Sequence, residues 1–422
     1  MKLLYFTLIT MLLSLPLQAQ FLLSPEELAQ THTYTSLKEA VDNADFVYIL
    51  DLRSQRLTEL RDIHKLTKLQ ILYLDGNELD GLPEGIGKCT HLQLLSANKN
   101  QLKALPKSFS KLKNLQKVYL RYNNIEAMPR GMERLVNLQI LDIRDNKFSK
   151  LPEVITTLSD LTILKIAYNN ITALPENIGA LTALRKLNIS GNPITQLPES
   201  FQNLTNLQEL SIGHTQLDVG PSITALRQLS ELHTLDLGGL KVNQLPTAFV
   251  DLTGLRKLDL TMAQMTELPV VVTQNAYIEE LILNKTSITS LPENIGQMTN
   301  LKQLYIKEGQ LASLPQNIGN LQNLELLKIE YNEIETLPES IGKLQNLQAL
   351  HLQNNKISAL PESIGNLTNL NLIEMPSNLL KSIPRSISQL QNLTGLYLFN
   401  NPVPSEHIEE VRSWIPNADV QF

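Results

Sequence analysis

Residues Leu347–Asn369 read LQALHLQNNKISALPESIGNLTN. Leu347, Leu350, Leu352, Asn355 and Ile357 form the pattern LxxLxLxxNxI, and Leu360, Pro361, Ile364 and Leu367 complete it as LPxxIxxL. Around Leu350 and Leu352 apolar and polar residues alternate, the period of a strand with one buried face. After Asn355 the apolar spacing widens to three and four, which suits a short turn of helix or 3₁₀-helix. A single such segment cannot bury its own apolar face, so copies have to stack.

The copies are present. The opening apolar position recurs at Val47, Leu69, Leu92, Leu115, Leu138, Leu161, Leu184 and Leu207, then at Leu232, Leu255, Ile278, Leu301, Leu324, Leu347, Leu370 and Leu393. That makes sixteen repeats, stepped by 23 residues except for 22 after Val47 and 25 after Leu207. The Leu-Pro pair, or a near variant, begins the second half in thirteen of them, from Pro83 to Pro384. A chain of 422 residues would ordinarily divide into several domains, but a solenoid grows by stacking.

These motifs resemble the leucine-rich repeat family, in the LPxxIxxLxxL subclass shared by Ras-binding scaffold proteins, plant Ras-group proteins and many bacterial secreted proteins. The resemblance covers about Val47 to Phe422. It implies an α/β fold: a leucine-rich repeat solenoid, a right-handed horseshoe of about sixteen 23-residue repeats. A parallel sheet would line the concave side, with short helices or 3₁₀ turns on the convex side. Fold resemblance of this kind is specific for architecture and says little about function.

The formal charge is −6, from 36 Lys and Arg against 42 Asp and Glu. No basic run occurs, so nucleic acid is not expected as a partner. Residues 1–19 read as a signal peptide: Lys2, an apolar run from Leu3 to Leu17, then Leu17-Gln18-Ala19 with cleavage after Ala19. The apolar run is shorter than the ~20 residues of a spanning helix, so no stable membrane insertion is expected after cleavage. Cys89 is the one cysteine, at a position where other copies carry Leu112, Leu158 or Leu181, and is expected to be a small core residue. The resemblance implies Cys-rich caps in eukaryotic extracellular relatives. Their absence favours a bacterial secreted or periplasmic protein.

Residues 20–46 are expected to form an N-terminal helical cap, with Ser24 capping one helix and a second helix over Leu37–Val41. The array occupies 47–403. Residues 404–422 are expected to hold a C-terminal cap helix started by Ser405, with Ile408, Val411, Trp414 and Ile415 on one face. Within the array, Asn355 and its counterparts should turn inward and bond backbone groups of the turn and of the neighbouring copy. This ladder is interrupted by Thr215, Leu240, Ala263, Thr286 and Gly309. The segment Leu207–Leu311 should therefore be the least stable part of the interior. Restoring Asn at Ala263 and Gly309 is expected to stabilise the chain.

No catalytic, cofactor-binding or metal-binding constellation occurs in the sequence, and the seven histidines show no metal-ligand spacing. The expectation is a protein that is not an enzyme and needs no cofactor. The candidate partner-binding residues lie on the concave face in two groups: Tyr119, Arg121, Tyr122, Arg144, Lys165 and Tyr168, and then Tyr305, Lys307, Lys328, Tyr331 and His351. Tyr and Arg favour contact sites by their large area and directional hydrogen bonds. The leading reading is a monomeric protein-binding scaffold. A structural or adhesive surface protein and a carbohydrate or peptidoglycan binder are the alternatives.

Overall fold

The computed structural model describes residues 22–243 and 245–422. The signal-peptide expectation for 1–19 lies outside the described residues. The chain divides into two compact units, one ending at Ile171 and one beginning at Thr172.

The first unit carries β1 (Thr33–Tyr34), β2 (Ile49–Asp51), β3 (Ile71–Tyr73), β4 (Leu94–Ser96), β5 (Lys117–Tyr119), β6 (Ile140–Asp142) and β7 (Ile163–Lys165). Each pairs in parallel with the next. The second unit carries β8 (Lys186–Asn188), β9 (Glu209–Ser211), β10 (Thr234–Asp236), β11 (Lys257–Asp259), β12 (Glu280–Ile282), β13 (Gln303–Lys307), β14 (Leu326–Glu330), β15 (Ala349–His351), β16 (Leu372–Glu374), β17 (Gly395–Tyr397) and β18 (Asp419–Gln421). These too pair in parallel, in chain order. The sixteen repeats account for β2 to β17. The flanking strands β1 and β18 were not legible as repeats; each adds a strand at an end of the ladder.

Register explains the period. Leu50, Leu72, Leu95, Val118, Leu141 and Leu164 stand opposite one another in the first unit, and all are fully buried. A slip of one residue would turn that row out to solvent. Opposite the strands, the Leu-Pro positions open 3₁₀ turns: Pro361 has φ −69° and caps Glu362–Asn366, as a residue with fixed φ and no N–H should. Phe109 and Phe201 fill the core where other repeats use Ile364. Cys89 is buried among them, its thiol against the Ile63 carbonyl at 3.3 Å.

The asparagine ladder forms as expected. Asn355 donates from Nδ2 to the carbonyls of Leu352 (3.0 Å) and of Ile329 in the preceding repeat (2.7 Å), while its Oδ1 accepts the N–H of Ile334 (3.1 Å). Asn355 thus bonds both within its own turn and to the preceding repeat. In the gap, only the first kind survives. Thr215 and Thr286 donate from Oγ1 to Ile212 and Leu283, and at Leu240 and Ala263 the backbone N–H itself turns back to Leu237 and Leu260. Gly309 corrects the sequence expectation. A Cβ there would lie 2.7 Å from Asn332 Oδ1, so an Asn cannot simply be restored.

The residue before the ladder position has positive φ in all sixteen repeats, from Ser54 to Asn400, at +53° to +71°. Most are not glycine, and such a conformation disfavours a side chain. The turn is nevertheless kept in every repeat, including the five without the ladder asparagine, where His214, Gly239, Met262, Lys285 and Glu308 hold the same conformation. At Gly239 a side chain is also excluded sterically, since a Cβ would meet the His214 ring at 2.2 Å.

A second ladder was not anticipated. Asn114 and Asn137 in the first unit, and Asn206, Asn300, Asn323, Asn346, Asn369 and Asn392 in the second, each donate from Nδ2 to the carbonyl 24 residues back at 2.7–2.8 Å. His91 reaches Thr67 in the same way.

At the ends, α1 (Pro25–Leu28) has a capping box between Ser24 and Glu27, and α2 (Leu37–Asp42) is capped by Ser36. Within the array, true α-helices replace the 3₁₀ turn twice, as α3 (Val219–Leu226) and α4 (Val270–Gln274). The last helix, α5 (Ser405–Trp414), differs from the expectation: Pro404 is its N-cap, Ser405 is its first residue, and no side chain caps it. Val411 and Ile415 are its buried residues, while Ile408 and Trp414 are partly exposed. Among the described residues no helix is long and apolar enough to cross a membrane.

Candidate partner-binding surface

On the solvent side of each sheet the side chains form straight rows, because every strand is in register with the next. Beside the core leucines run two such rows. In the first unit one reads Ile49, Ile71, Leu94, Lys117, Ile140, Ile163, and the other Asp51, Tyr73, Ser96, Tyr119, Asp142, Lys165. A third row, just past the strands, holds Arg53, Asp75, Asn98, Arg121 and Arg144.

The second of these rows has structural work. The backbone N–H groups of the third row have no strand partner of their own and take one from a side chain. Asp51 accepts from Arg53, Asp142 from Arg144, Asp236 from Gly238 and Asp259 from Thr261. Asp75 and Asn98 do the same for the next repeat. Burial raises the Asp236 carboxyl above its ordinary range, against the N–H it accepts.

Several predicted contact residues are consequently engaged with neighbours. Arg144 grips Asp142 with two bonds, 2.6 and 2.9 Å, and Asp142 is only 4% exposed. Arg121 pairs with Asp145 at 3.0 Å, donates to the Tyr122 hydroxyl at 2.7 Å and lies over that ring. Tyr119 is half-buried, and its hydroxyl is raised chiefly by burial and secondly by Asp142. Lys165 faces Asp142 in register yet forms no ion pair among the described residues. Tyr168 stands out in solvent, 53% exposed.

The second group is similarly divided. Lys307 is paired with the buried Glu330 at 2.9 Å, and the Tyr305 hydroxyl donates to Gln303 at 2.7 Å. His351 is buried, 8% exposed, its ring Nδ1 within 2.5 Å of Glu374. Against a carboxylate that nitrogen is the donor. Burial depresses the His351 pKa more than Glu374 raises it. Lys328 lies between Tyr305 and His351 in register and is unpaired among the described residues. Tyr331 is 55% exposed. The structure thus brings each group together, and leaves Lys165, Tyr168, Lys328 and Tyr331 as its free members.

Sequence reasoning passed over the apolar row. In LQILYL, LQLLSA, LQILDI and LTILKI the residue before the core leucine is apolar, where other copies have Lys186, Glu209 or Thr234. The row is half-buried rather than covered. With Pro25, Leu28 and Ala29 of the N-terminal helix, Ile49, Ile71 and Leu94 line a groove of about 300 Å³.

Among the described residues no group of three His, Cys, Asp or Glu is placed to hold a metal ion. The Cys89 thiol is buried and pushed up to about 12, so it carries no thiolate for nucleophilic attack.

Comparison with known proteins places the architecture. A family model for the leucine-rich repeat region matches residues 30–146, 130–245 and 293–397. No curated protein matches the chain. Among solved structures, a leucine-rich repeat protein of Leptospira interrogans is 33% identical with a TM-score of 0.80, covering 93% of this chain and 100% of its own. An internalin of Listeria monocytogenes is 25% identical with a TM-score of 0.57, over 74% of this chain and 87% of its own. The plant peptide hormone receptor RGFR1, in complex with RGF2, is 26% identical with a TM-score of 0.53, over 87% and 69%. With its repeats matched along most of their length and its strands stacked in parallel register, the chain belongs to the leucine-rich repeat family.

Proposed function

We propose that the chain is a bacterial protein-binding scaffold, secreted or periplasmic, which engages a protein partner through the solvent face of its parallel sheet and performs no catalysis. Residues 1–19 serve as a signal removed after Ala19. Residues 20–46 and 404–422 close the ends of the array at 47–403, and the mature protein is a monomer.

One observation carries this reading. The frame of the repeats is fixed by core leucines and, in most of them, an asparagine, while the solvent-facing residues vary along the array. The turns that follow these rows expose Tyr122, Tyr168 and Tyr331 at 43, 53 and 55%. Those tyrosines occupy positive-φ positions, which neither core packing nor turn geometry asks to be aromatic. The likeness to a plant receptor in complex with RGF2 supports a polypeptide partner.

The test is photo-crosslinking of the mature chain, begun at Gln20, with a photoreactive residue at position 168 or 331, in the envelope fraction of its native cell. A single dominant protein adduct is expected at one or both positions. Adducts to polysaccharide only, or none at either position, refute the reading.

A further inference from the structure

The apolar row of the first unit has a feature beyond its groove. Ile49, Ile71, Leu94, Lys117, Ile140 and Ile163 stand side by side on successive strands. Strands lie ~4.8 Å apart, so the row is ~24 Å long and one side chain wide. One flank is walled at its start by α1. The Leu23 N–H donates to Gln70 Oε1 at 3.1 Å, and Gln70 is joined to Gln93 (2.7 Å) and Gln93 to Gln116 (3.2 Å). This amide ladder ties the wall to the row.

Lys117 interrupts the apolar residues. In the second unit, lysines of the same row have their counterion on the next strand: Lys186 meets Glu209 at 2.6 Å and Lys257 meets Glu280 at 2.8 Å. The next-strand neighbour of Lys117 is Ile140. No carboxylate among the described residues pairs with Lys117, and Asp142 on the next strand is held by Arg144. Lys117, whose side chain lies between Leu94 and Ile140 in register, is a cation in an apolar row with no paired carboxylate among the described residues.

We infer that this row docks an extended polypeptide segment of the pattern apolar–x–acidic–x–apolar. The inference rests on the protein-binding reading above and names the chemistry of the partner. An extended chain laid along the row presents alternate side chains ~6.8 Å apart. With an apolar side chain over Leu94 and the α1 groove, the next same-face residue falls beside Lys117, and the one after, ~13.6 Å on, falls at Ile163. The pattern is symmetrical, so either chain direction fits. The row, one side chain wide, suits an extended strand rather than a helix or a compact ligand.

The experiment is fluorescence anisotropy of the full mature chain with a labelled peptide SGLTETLGS and its counterpart SGLTKTLGS. The wild type should prefer the glutamate peptide by about tenfold or more at low salt, and the preference should shrink as salt rises. Lys117→Glu should invert it, and binding of the lysine peptide to that variant shows that the variant is folded. An unchanged preference in Lys117→Glu overturns the inference, and so does failure of both peptides to bind. If both fail while the crosslinking above still traps a protein, the docking row is wrong and the scaffold reading stands. If no protein is trapped either, the scaffold reading fails too. A concentration-dependent dimer abolished by Lys117→Glu would make the occupant a second copy and overturns the inference.

Discussion

Asn146→Ala is the sharpest test of what holds consecutive repeats together. Asn146 is 8% exposed. Its Nδ2 donates to Leu120 O at 2.9 Å and, sharing its second hydrogen, to Ile143 O and Arg144 O at 3.1 Å, and its Oδ1 accepts from Ile125 N at 3.0 Å. The losses are unequal. Leu120 O is still reached by Asn123, Ile143 O by Asn169 and Arg144 O by the Tyr122 N–H, so each carbonyl keeps one partner. The Ile125 N–H keeps none. A stranded buried donor costs ~1–3 kcal/mol and each lost second bond ~0.5–1.5, giving roughly 2–6 kcal/mol. Thr286→Ala, in the interrupted stretch, removes a single in-turn bond to Leu283 O at 2.9 Å and should cost only ~0.5–1.5 kcal/mol. Native-state hydrogen exchange reads both. In Asn146→Ala the Ile125 amide should exchange by local opening, with faster exchange in the repeats on either side before the distant ones respond. If Asn146→Ala costs no more than Thr286→Ala, or leaves the Ile125 amide fully protected, the bonds between repeats do not supply the cohesion assigned to them here.

The interrupted stretch gives a paired expectation in thermal melts. Gly309→Asn should destabilise by ~1–3 kcal/mol, because its Cβ meets Asn332 Oδ1 at 2.7 Å, whereas Ala263→Asn should gain at most ~0.5–1.5 kcal/mol. His351 should titrate below the ordinary histidine value of ~6.5 in an NMR pH series, because burial depresses its pKa. As the pH falls through ~6.5 the unfolded chain takes up the proton first, so stability near β15 is full above that pH and declines below it; His351→Gln should flatten this decline. Cys89, with its thiol pushed up to about 12, should resist iodoacetamide in the native chain and react on unfolding; quick native alkylation would contradict its burial.

The repeat was legible because it answers to geometry. A core leucine every 23 residues and an Asn at one turn position leave few ways to fold, and β2 to β17 fall where the pattern puts them. The ends were less legible. β18 is a single strand, Asp419–Gln421, with no copy of its own to reveal it, and Pro404 takes the cap position that Ser405 was expected to fill. The surface was half legible. Its position followed from alternation, but the partners of Arg144 and His351 lie two residues away and one repeat away respectively. Nothing in the spacing says whether a solvent-facing Arg is free or already bonded. The apolar row was visible in the letters as Ile or Leu before the core leucine, and was passed over. Only register shows that these residues face outward together.

The middle of the second unit joins these points. The inner ladder lacks Asn from Thr215 to Gly309, and the outer ladder lacks it at Glu231, Gly254 and Tyr277. Both therefore fail across the repeats that begin at Leu232, Leu255 and Ile278. What replaces them acts within a turn or at the surface. Leu240 and Ala263 close their own turns by backbone bonds, and Lys257–Glu280 and Lys302–Glu279 bridge neighbouring strands in solvent, where such pairs contribute ~0–1 kcal/mol. Asn275, 1% exposed, reaches Phe249 O and Leu252 O and recovers some cohesion by another route. The two-residue insertion has a similar logic. At ~1.5 Å per residue the eight residues of α3 span ~12 Å, close to the ~10 Å of a five-residue 3₁₀ turn, so the longer repeat fits by changing helix type. Nor are the vacant Asn positions holes. A Cβ at Gly254 would lie 2.5 Å from Ser230 O, so the neighbouring backbone already fills the space an Asn side chain would enter. This stretch has exchanged hydrogen bonds between repeats for closer backbone contact and bonds within turns. That exchange keeps each turn intact while weakening its hold on the next, which is why its repeats are expected to open before those around Asn146 and Asn355.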